Sequence, residues 1–496
     1  MAIADFHCHV SFKPTLAPPA ARPDCWFTIN SKLLSKILDS QSNMQQLADG
    51  GVNLAFATVY GLEPGVAKQF LLHALDPAIP VLDRRQLIKL RDAKVTSNEI
   101  VRDEIVALRA DGALPGKAKQ AKIIASVAEY DPTDDNTIHL VLNMEGGHNL
   151  YGPRNTGTDQ NTLIANLNWF KKADSPRLLY FTMAHLEDNT LCTHASGIKI
   201  FGKKSFLPQG RSITPLGYRL AEIAMADTGR KIFIDTRHMS LESRMDFHRW
   251  MNKPTSAFKN EPVLCSHAGV TGASWGAPMP ITSCRHKRNG QFFKLKYNPR
   301  PGVLVPGTNF NPCSINLYDE EILLIAKSGG LIGVSLDIRI LGGKVKGLKE
   351  CVTIGEKYLF PTGNMDQQVS AAELFDQEDR DDERDEPFEQ YTLAEKSPDF
   401  GMRHLVNNIL HVVKVCTDGG IPDPWAHIVL GSDYDGLIEP IGGYPNAASL
   451  GGMAVDLETY LKRYAPAAGI NIPDVKAVVG RFMHGNAHAF LIKHFQ

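Results

Sequence analysis

His7 and His9 close a short apolar run, Ile3-Ala4-Asp5-Phe6-His7-Cys8-His9, with a single residue between them. On a β-strand that spacing puts both imidazoles on the same face. Imidazole is the commonest metal ligand, so two on one rigid strand form half of a site. Among 17 histidines a His-x-His pair is weak by itself, and its meaning depends on further ligands at other strand ends. Apolar β-rich runs also end in Glu145, His238, His267 and Asp433. A lone histidine at a strand end is more often a hydrogen-bonded structural residue. Six metal-competent residues at five strand ends are hard to assign to chance.

Together they offer four histidines and two carboxylates. A pair of divalent metals about 3.5–4 Å apart needs such a set, with an anionic bridge to offset their repulsion. Glu145 is the natural bridge; His7 and His9 would hold one metal, His238 and His267 the other. Metals so placed acidify a water towards neutrality and supply a hydroxide nucleophile. Asp433 would take its proton and pass it to the leaving group. Zinc fits the nitrogen-rich donors best, with manganese, cobalt and iron as alternatives.

Eight segments read as strands that must position these side chains: 2–9, 52–60, 138–146, 178–185, 231–238, 262–267, 331–336 and 426–433. Helical stretches separate most of them, which predicts a parallel sheet covered on both faces. Eight strands also close a (β/α)8 TIM-type barrel, whose chemistry sits at the carboxyl ends of the strands. The rival, an open doubly wound sheet, lacks its glycine-rich phosphate loop after the first strand. At 496 residues the chain exceeds the typical barrel, so a single barrel domain spanning 1–496 must carry insertions. These fall at 63–135, largely helical with an amphipathic run from Asn98 to Tyr130; at 268–314, a long loop near the barrel mouth; and at 341–400. The last holds an acidic cluster, Asp376 to Glu389, which reads as a solvated face or mobile loop.

A formal net charge of −1 gives no bulk attraction for nucleic acid or acidic membranes. No apolar run approaches a membrane span, and a first strand starting near residue 3 leaves no room for a signal peptide. Eight scattered cysteines without a C-x-x-C pair read as reduced core residues. A cytoplasmic protein acting on a small molecule is the expectation, with neither nucleic acid nor membrane as partner.

The sequence resembles the metal-dependent amidohydrolase superfamily and, within it, the renal (membrane) dipeptidase family, as a divergent member. Glu145-Gly146-Gly147-His148 is similar to the family's bridging-glutamate motif. The stretch from Thr214-Pro215-Leu216-Gly217 to Ile234-Asp235-Thr236-Arg237-His238-Met239-Ser240 resembles its approach to the fifth-strand histidine, and Pro262-Val263-Leu264-Cys265-Ser266-His267 its sixth-strand ligand segment. Asp319 to Val334 resembles the approach to strand seven, and Gly431-Ser432-Asp433-Tyr434-Asp435-Gly436 the eighth-strand signature. The matches keep the family's order and span most of the chain outside the insertions.

The resemblance implies two further roles. Tyr180-Phe181-Thr182-Met183-Ala184-His185 is similar to the segment whose histidine contacts substrate and polarises the scissile carbonyl, a role His185 would inherit. Arg288-Asn289 resembles the motif whose basic residue binds the substrate's terminal carboxylate, with Arg285 as the alternative. One departure matters: the family usually has His-x-Asp on strand one, whereas His7-x-His9 is the pattern of superfamily relatives that cleave lactones, cyclic amides or phosphoesters. The leading expectation is therefore a binuclear hydrolase of an amide C–N bond in a dipeptide or N-acyl amino acid. The alternatives are a lactonase or phosphoesterase with the same metals, and a non-catalytic metal-bound binding protein. The sequence leaves the oligomeric state open; analogy with other decorated barrels offers a homodimer as one assembly.

Overall fold

The run Val52–Val59 is buried at every position, as is Ile3–Cys8, which is what strands covered on both faces require. The computed structural model describes residues 2–17, 22–30, 39–73, 84–92, 96–152, 159–196, 206–275, 281–286, 292–297, 300–343, 348–357, 359 and 397–496. All eight expected segments form strands there: β1 (Ile3–Cys8), β2 (Val52–Val59), β3 (Thr137–Glu145), β4 (Leu178–Thr182), β5 (Phe233–Asp235), β6 (Cys265–Ala268), β7 (Ile332–Val334) and β8 (Ile428–Leu430). Strands β1 to β5 pair in parallel in chain order, and β6, β7 and β8 form a second parallel set with β7 in the middle. Parallel bridges Asp235↔Leu264 and Cys8↔Tyr434 link the two sets at either side. The sheet is thus curled, with β1 beside the chain leaving β8: His9 N–H donates to the Tyr434 carbonyl, and Asp433 N–H to that of His7, both at 2.9 Å.

Alternation along the strands sorts their side chains into two cores. Ala4, Phe6, Phe56, Val141, Tyr180, Phe233 and their counterparts Leu264, Leu331 and Val429 form an inner cluster, to which Phe490 and Leu491 of the last helix, α7 (Asn486–His494), also belong. Side chains of the other parity, such as Ile3, Ala55, Leu142, Ile234, Cys265, Ile332 and Leu430, belong to the main cluster shared with the surrounding helices. Those helices include α1 (Ser97–Gly112), α2 (Gln160–Lys171), α3 (Pro215–Met225), α4 (Leu241–Met251), α5 (Asp319–Lys327) and α6 (Pro398–Asp418). Thr214 caps α3 from just ahead of Pro215, accepting from Gly217 N–H, so the Thr-Pro-Leu-Gly stretch is a helix start.

The insertions differ from expectation. The amphipathic run from Asn98 is helical only to Gly112, because Pro115 and Gly116 stop it; Gln120–Ile123 then forms a strand parallel to β3. Residues 268–314 are not simply a loop. Ile281–His286 and Phe292–Tyr297 pair antiparallel, and Lys349–Thr353 joins the same sheet. The pattern Phe293-Lys294-Leu295-Lys296-Tyr297 alternates apolar and charged with period two, a strand signal outweighed by the surrounding glycine and proline. The acidic cluster from Asp376 to Glu389 lies outside the described residues. Among the described residues no helix is long and apolar enough to cross a membrane, and Cys8, Cys25, Cys192, Cys265, Cys313 and Cys416 are free thiols.

Candidate metal centre and its pocket

Strand ends deliver the expected side chains to one place. His7 lies within β1 and His9 just beyond it; Glu145 ends β3; His267 lies within β6; His185, His238 and Asp433 each follow a strand by three residues. Glu145 is the hub. Its carboxylate lies 3.6 Å from His7 Nε2, 3.2 Å from His9 Nε2, 3.5 Å from His185 Nε2, 3.0 Å from His238 Nε2 and 3.5 Å from His267 Nε2. Asp433 faces His7, His9 and His267 at 3.9, 3.6 and 3.8 Å. All seven side chains are buried.

The backbone bends sharply to achieve this. His238 and Asp433 adopt φ values of 64° and 63°, left-handed for residues with a Cβ. Such conformations cost on the order of 1–3 kcal/mol each and persist only where the surroundings over-determine them. Gly146, at φ 96°, turns the chain after Glu145, and a Cβ there would lie 2.4 Å from the His148 ring. A Cβ on Gly436 would lie 2.0 Å from Asp433 Oδ1. These two contacts account for one glycine in each motif.

Supporting hydrogen bonds fix which imidazole nitrogen faces the hub. Tyr180 Oη–H donates to the Phe6 carbonyl at 2.7 Å, so its oxygen accepts from His7 Nδ1–H at 3.1 Å. Ser266 Oγ–H donates to Asp235 at 2.6 Å, so its oxygen accepts from His267 Nδ1–H at 2.9 Å. His185 Nδ1–H donates to Glu63 at 2.6 Å. With Nδ1 occupied, the Nε2 lone pairs of His7 and His267 turn inward, the arrangement of a metal ligand held by its outer neighbours. His238 Nε2 and His267 Nε2 sit 3.1 Å apart, and His7 Nε2 and both nitrogens of His9 are buried without a hydrogen-bond partner. Facing lone pairs and orphaned nitrogens around a carboxylate suit a cation, so the donor set fits divalent metal. Three groups have ligand atoms mutually within 4.8 Å: His7, Glu145 and His267; His7, His9 and Asp433; Glu145, His185 and His238.

Electrostatics agree with a cation-ready site. Burial pushes His238 down to about 3 despite Glu145, and His267 well below its ordinary value, so both are neutral donors. Burial also opposes charge on His9, but Asp433 and Glu145 prevail and raise it to about 10. Burial would raise Glu145; the surrounding histidines hold it well below the usual carboxylate range. Asp433 moves the other way, raised chiefly by burial.

The hub opens into a pocket at the strand ends. His9, Glu145, His185, His238 and Asp433 line it, with Tyr60, Phe12 and Leu186, and with Arg237, Asp337 and Arg339. Of the expected anchors, Arg288 lies outside the described residues, and Arg285 lies in the strand Ile281–His286 with no described side-chain placement. Sequence reasoning missed Glu63, Arg237, Asp337 and Arg339. Glu63 follows β2 by four residues and carried no spacing signal; Arg237 adjoins His238 and was legible as a charged neighbour of a ligand.

No protein-family model matches the chain, and no curated protein matches it by sequence. Its fold is that of solved metallopeptidases. Dipeptidase AC, a metallopeptidase of family M19, superposes with TM-score 0.50 at 12% identity over 100% of this chain and 99% of its own. A Rhodobacter sphaeroides metallopeptidase, solved with a phosphinate mimic of the dipeptide L-Ala-D-Ala, gives 0.51 at 14% over 100% and 99%. PvdM from Pseudomonas aeruginosa, described as a probable dipeptidase, gives 0.51 at 16% over 92% and 89%.

Proposed function

We propose that this chain is a divergent, metal-dependent hydrolase of the renal dipeptidase type, built on a closed (β/α)8 barrel and cleaving the C–N bond of a dipeptide or N-acyl amino acid. The observation that carries this reading is the convergence of His7, His9, His185, His238 and His267 on Glu145, with Asp433 facing three of these histidines and with His7 Nε2 and both nitrogens of His9 buried without a hydrogen-bond partner. Two divalent ions, zinc suiting the donors best, would be held by His7, His9, Glu145, His238 and His267, and when bound would supply Lewis acidity and an acidified water. Glu145, which faces histidines of both groups, would contribute its carboxylate to both ions. Asp433 lines the pocket beside three of the histidines, where its burial-raised affinity for a proton suits it to accept one and deliver it to the leaving nitrogen. Burial opposes charge on His185, but Glu63 and Glu145 raise its pKa, so the protonated ring, tied to Glu63 through Nδ1–H, would donate Nε2–H to the substrate carbonyl and hold it in place. The parallel bridges at both sides of the two strand sets support the closed barrel.

Metal stoichiometry tests the reading. Elemental analysis after zinc reconstitution should give about two ions per chain, reduced in His238→Ala, and the loaded protein should hydrolyse members of a dipeptide and N-acyl amino acid panel. One ion per chain would point to a mononuclear site with Asp433 as a ligand. No bound metal would sink the catalytic reading. A second reading, hydrolysis of a lactone or phosphoester, is favoured by His9, whose Nε2 faces Glu145 where the dipeptidase pattern has a carboxylate. Rates on lactones and aryl phosphodiesters, compared with those on dipeptides, separate the two.

A further inference from the structure

Arg237 lines the pocket between the end of β5 and His238, yet it is only 3% exposed. Its Nη1 donates to the Ile315 carbonyl at 2.7 Å, and its Nε has no hydrogen-bond partner. Among the described residues no carboxylate forms an ion pair with it. Other buried arginines are treated differently: Arg244 holds Glu321 at 2.5 Å, and Arg339, in the same pocket, holds Asp337 at 2.6 Å. A guanidinium cannot shed its proton to escape burial, so an uncompensated one is costly until an anion arrives. The carboxylates whose charge reaches it are already committed, Asp433 and Glu145 to the histidine hub and Asp235 to Ser266 and Thr182.

The pocket has a second side of different chemistry. Phe12, Tyr60 and Leu437 belong to one apolar cluster, with Leu186 packed against it, while Ile315 and Ile340 near Arg237 belong to another. We propose that Arg237 is a specificity-determining residue that binds a carboxylate of the substrate, so that the pocket selects molecules with a carboxylate on one side of the reacting bond and an apolar group on the other. A planar carboxylate matches the guanidinium fork. For the reaction itself this inference rests on the hydrolase reading above; for binding it does not.

The test uses the full-length, zinc-loaded chain and measures calorimetric binding of N-acetyl-phenylalanine and of its primary amide, which differ only in the charge of the terminus. Wild type should bind the acid about tenfold to a hundredfold more tightly, the range for a charge-assisted hydrogen bond. In Arg237→Met that preference should collapse to about twofold or less, with Arg237→Lys retaining part of it. Equal binding of acid and amide by wild type would overturn the proposal, and this comparison needs no variant to fold. A preference that survives in Arg237→Met of unchanged melting temperature would also overturn it, reducing Arg237 to a positioning role. Following turnover of the same pair separates the two claims: selective binding without hydrolysis would support Arg237 as the anchor while removing the hydrolase reading.

Discussion

At the scale of single residues, the site divides its labour between groups that touch the hub and groups that aim them. Asp433 faces three histidines but is not their shared centre, so its carboxylate is the one to lose without emptying the site. Asp433→Asn should reduce turnover by at least about a hundredfold, the range of a positioned proton-transfer group, while zinc content stays at the wild-type level. Full activity in that variant would end the proton-shuttle assignment. Glu63 acts one step out. Burial would raise its carboxyl, yet His185 and His148 lower it, so it meets His185 Nδ1–H as a carboxylate. Glu63→Gln keeps an acceptor but removes the charge, and should lower kcat about tenfold to a hundredfold with little change in bound metal. Steady-state kinetics paired with elemental analysis checks both.

Local elements impose their own constraints. The turn after β3 depends on Gly146, whose φ of 96° and contact with the His148 ring leave no room for a methyl group. Gly146→Ala should destabilise the fold by on the order of 2 kcal/mol and lower zinc occupancy, because the backbone that presents Glu145 must shift. Chemical denaturation and metal analysis of the same sample report the two effects. Helix α4 carries a pH-sensitive support. Leu241 N–H, at its first turn, donates at 2.8 Å to the buried Glu356, whose pKa burial raises from 4.5 to about 7. Between those values the unfolded chain has released this proton while the folded chain retains it. The resulting stabilisation is complete below pH 4.5 and is lost as the pH rises to about 7, a change of roughly 3 kcal/mol. Glu356→Gln should flatten that part of the stability profile, as measured by denaturation midpoints between pH 5 and pH 7.5.

Across the whole molecule, the candidate ligands are shared between the two parallel strand sets: His7 and Glu145 on the first, His267 on the second. A cation held by these residues ties the sets together at the site, just beyond the backbone bridges at their margins. Zinc at a thousandfold excess over its dissociation constant should therefore stabilise the folded chain by about 4 kcal/mol, raising the melting temperature relative to chelated protein. His267→Ala should abolish most of that difference. Equal melting temperatures with zinc and with chelator would mean that the ligands do not grip an ion.

How much of this was legible in the sequence follows from the range of each interaction. Alternation and apolar runs are local, so the eight strands and the ligands at their ends could be read directly, and His7, His9, Glu145, His238, His267 and Asp433 do converge. Motif glycines were visible, but the contacts that require them at Gly146 and Gly436 were not. The second aspartate of the Gly-Ser-Asp-Tyr-Asp-Gly run proves structural: Asp435 pairs with buried Lys13 at 2.5 Å and accepts from Ser42 N–H at 2.8 Å. Glu63, Arg237 and Arg339 reach the pocket through loops whose paths depend on packing between distant segments, as when Arg237 meets Ile315. Residues 268–314 misled because glycine and proline dominate local reading, whereas strand pairing with Lys349–Thr353 is decided by a partner beyond the insertion. The sequence by itself determined which side chains stand at strand ends, since a period of two is written into adjacent residues. Only the tertiary structure decided which charges face the cavity without a partner, because that depends on what burial brings near and what it leaves out.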